Sequence, residues 1–269
     1  MNPHFRIGCV SFLNSKPLIE AVVGRADTHV EFAVPSHLLE LVERNAVSTA
    51  LLSVVDYQLS QVPLFLVPAG AIGCDGPTLT VRIFSKVPPE KIKRVHGDTD
   101  SHTSVILAQV ILRERWGAYA PLVPLEAREG EHRGGHETML LIGDKVVNAS
   151  PPAAEYPFQL DLGEEWKKLT GLPFVFAMWM MRADAVDLDL ARLLDAARQQ
   201  GAEMTEQLLD RHCTEKGWPR DLARRYFTEY LKYEVTPRSR QGLAKFYELA
   251  AKHSLLKITR ESKYLELTP

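Results

Sequence analysis

Ser11 and Asn14 lie in Val10-Ser11-Phe12-Leu13-Asn14-Ser15-Lys16-Pro17, where an apolar run gives way to a proline-started helix. That pattern puts a hydroxyl and an amide at the carboxyl end of a strand, beside a helix N-terminus, in the crevice where open α/β sheets bind ligands. Both side chains are also ordinary N-caps, so the local pattern leaves binding and capping open. A second group, Ser101, Thr103 and Ser104, opens a helix whose following residues are apolar. Its unpaired backbone N–H groups and hydroxyls would converge on an anion, although one hydroxyl is needed as the N-cap in any case. Asp144 follows Leu140-Leu141-Ile142-Gly143 and reads first as a cap on the next turn, with a cleft-facing carboxylate as the alternative. Arg82, inside an apolar strand, and Lys16 could meet carboxylates, and a solvated face accounts for each equally well. This set can bind and polarise a small acid, but it contains no evident strong base.

Other chemistries find little support. His132 and His136 have the four-residue spacing of two metal ligands on a helix face, but Gly134-Gly135 between them disfavours the helix, so no metal site is expected. There is no P-loop, no Gly-x-Gly-x-x-Gly after a strand and no Gly-x-Ser-x-Gly elbow, which removes nucleotide cofactors and hydrolase triads. Cys9, Cys74 and Cys213 are odd in number and unpaired in spacing, against a disulfide framework or a zinc knuckle. With 32 basic and 34 acidic side chains the formal charge is -2, which excludes a broad nucleic-acid footprint. The longest apolar run, Phe174 to Met181, is far short of the ~20 residues of a membrane span. The first residues lack the regions of a secretory signal, so a cytoplasmic location is expected.

The elements that must position these residues follow an alternating pattern. Arg6–Val10, His29–Val34 and Ser48–Leu52 read as strands, separated by helices after Pro17 and Ser36, which predicts a mainly parallel sheet covered by helices. A second α/β unit follows: strands near Leu79–Phe84, Lys93–His96 and Thr138–Ile142, and a helix from about Ser101 to Trp116 stopped by Gly117. Residues 161–170 form a helix closed by Gly171, Pro173–Arg182 a strand on which the chain can return, and the tail is helical. The aromatic residues Trp179 and Tyr226-Phe227-Tyr230 have core periodicity.

Several segments carry a family resemblance. Val10-Ser11-Phe12-Leu13-Asn14-Ser15-Lys16-Pro17-Leu18 is similar to the Val-Ser-Tyr-Leu-Asn-Thr-Lys-Pro-Leu segment of the chorismate dehydratase family. Asp75-Gly76-Pro77-Thr78-Leu79-Thr80-Val81, Asp98 to Val105, Leu140 to Asp144, Asp161 to Trp166 and Thr170 to Ala177 resemble further segments, so the likeness spans roughly residues 6–182. Thr80 stands where a family serine is expected, and His102 where arginine is common, which puts an anion contact there in doubt. The Cys-Pro-Asn-Asp-Thr pattern of the sister, dihydroxynaphthoate-forming family is absent.

The resemblance implies an α/β, two-lobed, periplasmic-binding-protein-like (type II) fold with a ligand cleft between lobes. Residues 1–82 and 180–269 would form one lobe and 83–179 the inserted one. It implies a hydro-lyase that removes water from chorismate, in the futalosine route to menaquinone, with no cofactor and no metal. Asn14 and Thr80 would orient the reacting ends, and Ser11, Ser101, Thr103, Ser104 and Asp144 would bind substrate. Two rivals share the fold: a cytoplasmic solute-binding or sensor domain for an aromatic carboxylate, and the sister enzyme.

Overall fold

The computed structural model describes residues 4–97, 101–125 and 135–267. The chain begins with strand β1 (Phe5–Cys9), the short helix α1 (Lys16–Ile19), β2 (Thr28–Phe32), α2 (Pro35–Glu43), β3 (Thr49–Ser53), α3 (Asp56–Leu59) and β4 (Leu64–Cys74). The second run comprises β5 (Val81–Ser85), β6 (Val95–Gly97), α4 (His102–Trp116), β7 (Leu122–Pro124), β8 (Thr138–Ile142), α5 (Asp144–Asn148), β9 (Phe158–Asp161) and α6 (Leu162–Thr170). Strand β10 (Phe174–Arg182) is followed by α7 (Leu188–Glu203), α8 (Thr205–Lys216), α9 (Arg220–Arg225), β11 (Leu231–Lys232) and α10 (Pro237–Lys252). Among the described residues no helix is long and apolar enough to cross a membrane.

The strands form two sheets, one of six strands in the order β11-β4-β10-β3-β1-β2 and one of five in the order β7-β6-β8-β5-β9. Strand β1 pairs parallel with β2 and β3, as the alternating pattern predicts, but β10 returns antiparallel between β3 and β4 and makes the sheet mixed. The expected crossing points at 82 and 180 fall inside strands. Strand β5 lies wholly in the second sheet and β10 wholly in the first, so the chain passes between sheets over residues 75–80 and 171–173.

Strand β4, the longest of the described strands, is not among the strands expected from the sequence, and it carries Pro68, Gly70 and Gly73, residue types disfavoured in a strand interior. Its register with β10 jumps from Val67↔Trp179 to Ala71↔Met178, and the irregularity takes up Pro68, which has no N–H to give a ladder. Gly70 leaves room there for Leu18, whose Cδ2 would lie 2.7 Å from an added Cβ.

Local signals set several helix ends. Ser101 caps α4 and Gly117 ends it at φ 63°, while Asp187 caps α7 and Thr236 with Ser239 forms a capping box on α10. Asp161 does more than cap α6. Its carboxylate accepts from Gly163 and Glu164 at 3.0 and 3.2 Å, and also from the amides of Thr78 and Leu79 at 2.9 and 2.7 Å. Leu79 is held at φ 67°, a left-handed conformation that a leucine adopts only when its surroundings over-determine it. One buried carboxylate therefore fixes the first crossing and, with it, the place of Thr80.

Candidate functional site

A pocket lies between the two sheets and is lined by residues of both, a usual place for a small-ligand site. The six-stranded side contributes Asn14, Leu51, Ser53, Ile72 and Phe176 to its wall. The other side contributes Thr78, Thr80, Ser101, Ser104 and Gly143, and Tyr226 comes from the helical tail. Among the described residues none of the lining side chains is acidic, cationic or histidine. The wall is an apolar surface carrying hydroxyls, one carboxamide and one phenol.

Each polar group is positioned by its element. Asn14 sits in the single 3-10 turn Leu13–Ser15 between β1 and α1, and Ser15 braces that turn by donating to the carbonyls of Val10 (2.7 Å) and Phe12 (2.9 Å). The Asn14 Oδ1 is buried and has no hydrogen-bond partner, a costly state unless a ligand supplies a donor. Thr80 is pinned by its main chain, donating to Thr78 O and accepting from Gly143 N, both at 2.8 Å. Its Oγ1 lies 2.6 Å from the Tyr226 hydroxyl, and both residues are buried. Burial pushes the Tyr226 phenol well above its ordinary range despite the Thr80 contact, so it stays protonated at neutral pH. At the opening of α4, Ser101 Oγ accepts from Ser104 N at 3.4 Å and lies 3.0 Å from Ser104 Oγ, with the first turn of a 15-residue helix behind them.

The family model for menaquinone biosynthesis matches residues 5–252. The chain belongs to the menaquinone-biosynthesis family. A chorismate dehydratase of Thermus thermophilus is 29% identical over 233 residues, covering 80% of this chain and 84% of that one. Among solved structures, a protein of Archaeoglobus fulgidus superposes with a TM-score of 0.70 at 16% identity, over 95% of this chain and 100% of its own. The periplasmic aliphatic sulphonate-binding protein of Escherichia coli superposes with a TM-score of 0.65 at 14% identity, over 98% of this chain and 94% of its own. At such identities the likeness shows the fold, which is that of periplasmic binding proteins.

In this member of the menaquinone-biosynthesis family, Asn14, Thr80, Ser101 and Ser104 meet at one cavity, whereas Ser11, Thr103 and Asp144 are not among its lining residues. Ser11 is exposed, because the chain turns between it and Asn14. Thr103 is fully buried and accepts from Val55 N at 3.4 Å, which docks α4 on the start of α3. Asp144 accepts from Trp218 Nε1 at 3.0 Å and from Leu13 N at 3.4 Å, so its carboxylate joins the second sheet unit to the first. Arg82 lies 3.5 Å from Asp161, and the Lys16 ammonium lies over the Phe32 ring. His102 turns its Nδ1 to Asp56 Oδ1 at 2.6 Å. His136 stacks on His96, and His132 lies outside the described residues.

Tyr226, expected as core from its periodicity, is core, and it also lines the wall. It opens one turn of π-helix, Tyr226–Tyr230, and stacks on Trp218 at 4.8 Å, so it is both packed and facing the cavity. No spacing in the chain announces a partner 146 residues from Thr80.

Asp144 gives a pH prediction. Burial, opposed by the Trp218 and Leu13 donors, raises its pKa above the ordinary 3.8. The folded chain thus holds this proton more tightly than the unfolded one. The group's contribution is most favourable below 3.8 and is lost as pH rises through the raised value. Asp144→Asn keeps an oxygen for Leu13 and Trp218 but cannot ionise, so urea unfolding should find it more stable relative to the parent at pH 7 than at pH 4.5. The opposite trend would show that the ionised form is the better held one.

Proposed function

We propose that the protein is a chorismate dehydratase, a hydro-lyase that eliminates water from chorismate to give 3-[(1-carboxyvinyl)oxy]benzoate, as a cytoplasmic step of the futalosine route to menaquinone. The observation that carries this reading is a largely apolar pocket whose polar lining groups, among the described residues, are all uncharged donors and acceptors, in a chain of this family. Aromatisation drives the elimination, so the protein has to hold the reactive conformer and stabilise the departing oxygen rather than supply a powerful base. The substrate's own enolpyruvyl carboxylate takes the ring proton. The C–H pair becomes the new ring double bond, the C–O bond breaks toward oxygen, and the transferred proton leaves with that oxygen as water.

In this reading the free Asn14 Oδ1 and its amide orient the substrate, Thr80 meets the departing hydroxyl, and a carboxylate rests on the α4 N-terminus beside Ser101 and Ser104. The two sheet units act as lobes, joined through residues 75–80 and 171–173. The fold is shared with a sulphonate-binding protein, so a binding role is the alternative, and one assay separates the two. Purified protein with chorismate alone should abolish the ring diene absorbance and release the enolpyruvyl benzoate. Binding with the diene intact would instead identify a solute receptor. Thr80→Ser should retain most of the rate, while Thr80→Val, which keeps the shape and removes the hydroxyl, should lose roughly 10²-fold in kcat. Equal rates for the two variants would remove Thr80 from the chemistry.

A further inference from the structure

We propose that His102 and Asp56 are positioning residues that join the two sheet units beside the pocket and hold the α4 N-terminus where it receives the substrate's non-reacting carboxylate. The proposal rests on the dehydratase reading of the pocket.

The first turn of α4 faces two ways. Ser101 and Ser104 line the pocket, whereas His102 and Thr103 turn to the segment that follows β3. His102 Nδ1 lies 2.6 Å from Asp56 Oδ1, and Thr103 Oγ1 accepts from Val55 N at 3.4 Å. The chain on which they rest is itself fixed. Val54 donates to Phe176 O at 3.0 Å and accepts from Tyr247 Oη at 2.5 Å, so both of its main-chain groups are engaged just before Val55 and Asp56. Ser53, one residue earlier, lines the pocket from the first unit. Residues 53–56 and 101–104 are therefore fastened to each other, and each stretch contributes serines to the same wall.

Asp56 carries a cost that an apolar contact would avoid. Its side chain is fully buried, its Oδ2 has no hydrogen-bond partner among the described residues, and burial pushes its carboxyl above the ordinary carboxylate range. Its short contact with His102 is the stronger of the two fastenings, since the Thr103 contact is long. The far end of α4, about 18 Å away along the helix, is secured separately. There Glu114 meets Lys252 at 2.6 Å and His253 at 2.5 Å. Loss of the His102 contact thus leaves the helix attached and frees only the end beside the pocket. A carboxylate held by first-turn amides and hydroxyls responds to such a shift because those bonds are directional. Asn14 and Thr80 stand on other elements, so the shift acts on binding and not on the chemical step.

Chorismate kinetics on the full chain, with kcat and KM read separately, test the pair. His102→Ala should raise KM roughly 10- to 100-fold and leave kcat within about 3-fold of the parent. His102→Asn should recover most of the affinity, because its carboxamide offers an N–H and an oxygen near the Nδ1 position and so meets Asp56 in either protonation state. Glu114→Gln, which loosens the far end of the same helix, should keep the parental KM. A parental KM in His102→Ala, no recovery in His102→Asn, or an equal rise in Glu114→Gln would each overturn the proposal. Should His102→Ala fold poorly, His102→Gln decides in its place, since its longer amide overshoots the Nδ1 position: a raised KM supports the pair and a parental one refutes it. A wild type without turnover would sink the dehydratase reading instead, and the same ordering of chorismate dissociation constants would then judge the pair. A wild type that neither turns over nor binds chorismate overturns both.

Discussion

Replacing Asn14 by Ala should lower kcat on chorismate by about 10²-fold or more while moving the thermal midpoint by no more than a few degrees. The two halves of that expectation have separate causes. Catalysis by holding a substrate's carboxylate against its own ring proton depends on position, and a displacement of about 1 Å can cost 10²-fold. Stability is barely involved, since Asn14 Oδ1 makes no bond within the fold and the turn that carries it is braced by Ser15. Initial rates and a thermal melt on the same preparation check both halves. A variant that keeps its rate would take Asn14 out of the site, and one that loses rate and midpoint together would make it a structural residue.

Gly201→Ala should destabilise the protein by about 3 kcal/mol, a drop in midpoint of roughly 6–12 °C for a chain of this size. On an isolated helix the same change would be favourable by about 1 kcal/mol, because glycine is a poor helix former. The sign reverses here because α7 crosses α1 at Gly201, where an added Cβ would stand 1.9 Å from Pro17 O and 2.7 Å from Pro17 C. Backbone cannot rotate away as a side chain can, so α7 must lift off α1. Pro17 lies three residues beyond Asn14, which makes a loss of kcat the expected companion of the lost stability. Thermal and urea unfolding of Gly201→Ala beside Gln200→Ala, on the same helix, measure the effect. A midpoint at or above the parent's would mean that the helices separate at no cost.

Some of this architecture is legible in the chain because it depends on near neighbours. The strand that ends before Ser11, the cap at Ser101, the stop at Gly117 and the helix between Asp161 and Gly171 each follow from residue types a few positions apart, and the structure shows each of them. Asn14 and Thr80 are legible for a different reason, since they stand in segments similar to a known family, and the same is true of the chemistry proposed for them.

What the chain alone withholds is every choice among partners far apart in sequence. Asp144 could face a cleft or cap a turn, and only the docking of Trp218 and Leu13 against it makes it the link between the two sheet units. Thr103, two residues after Ser101, is turned to Val55 instead of the cavity because α4 packs on α3 there. Strand β4 contains a proline and glycines that local rules reject, and it forms because β10 offers it a register with an irregularity at the required place. Tyr226 reads as core by periodicity, and it is core on its Trp218 face, but its hydroxyl meets Thr80 only after the helical tail folds back. The sequence determined the helix ends, the strand ends and the polar groups waiting at them, because capping and alternation act over a few residues. Tertiary packing alone decided which of those groups share a wall, because burial and hydrogen-bond satisfaction are settled between segments that the chain brings together from 48 to 146 residues apart.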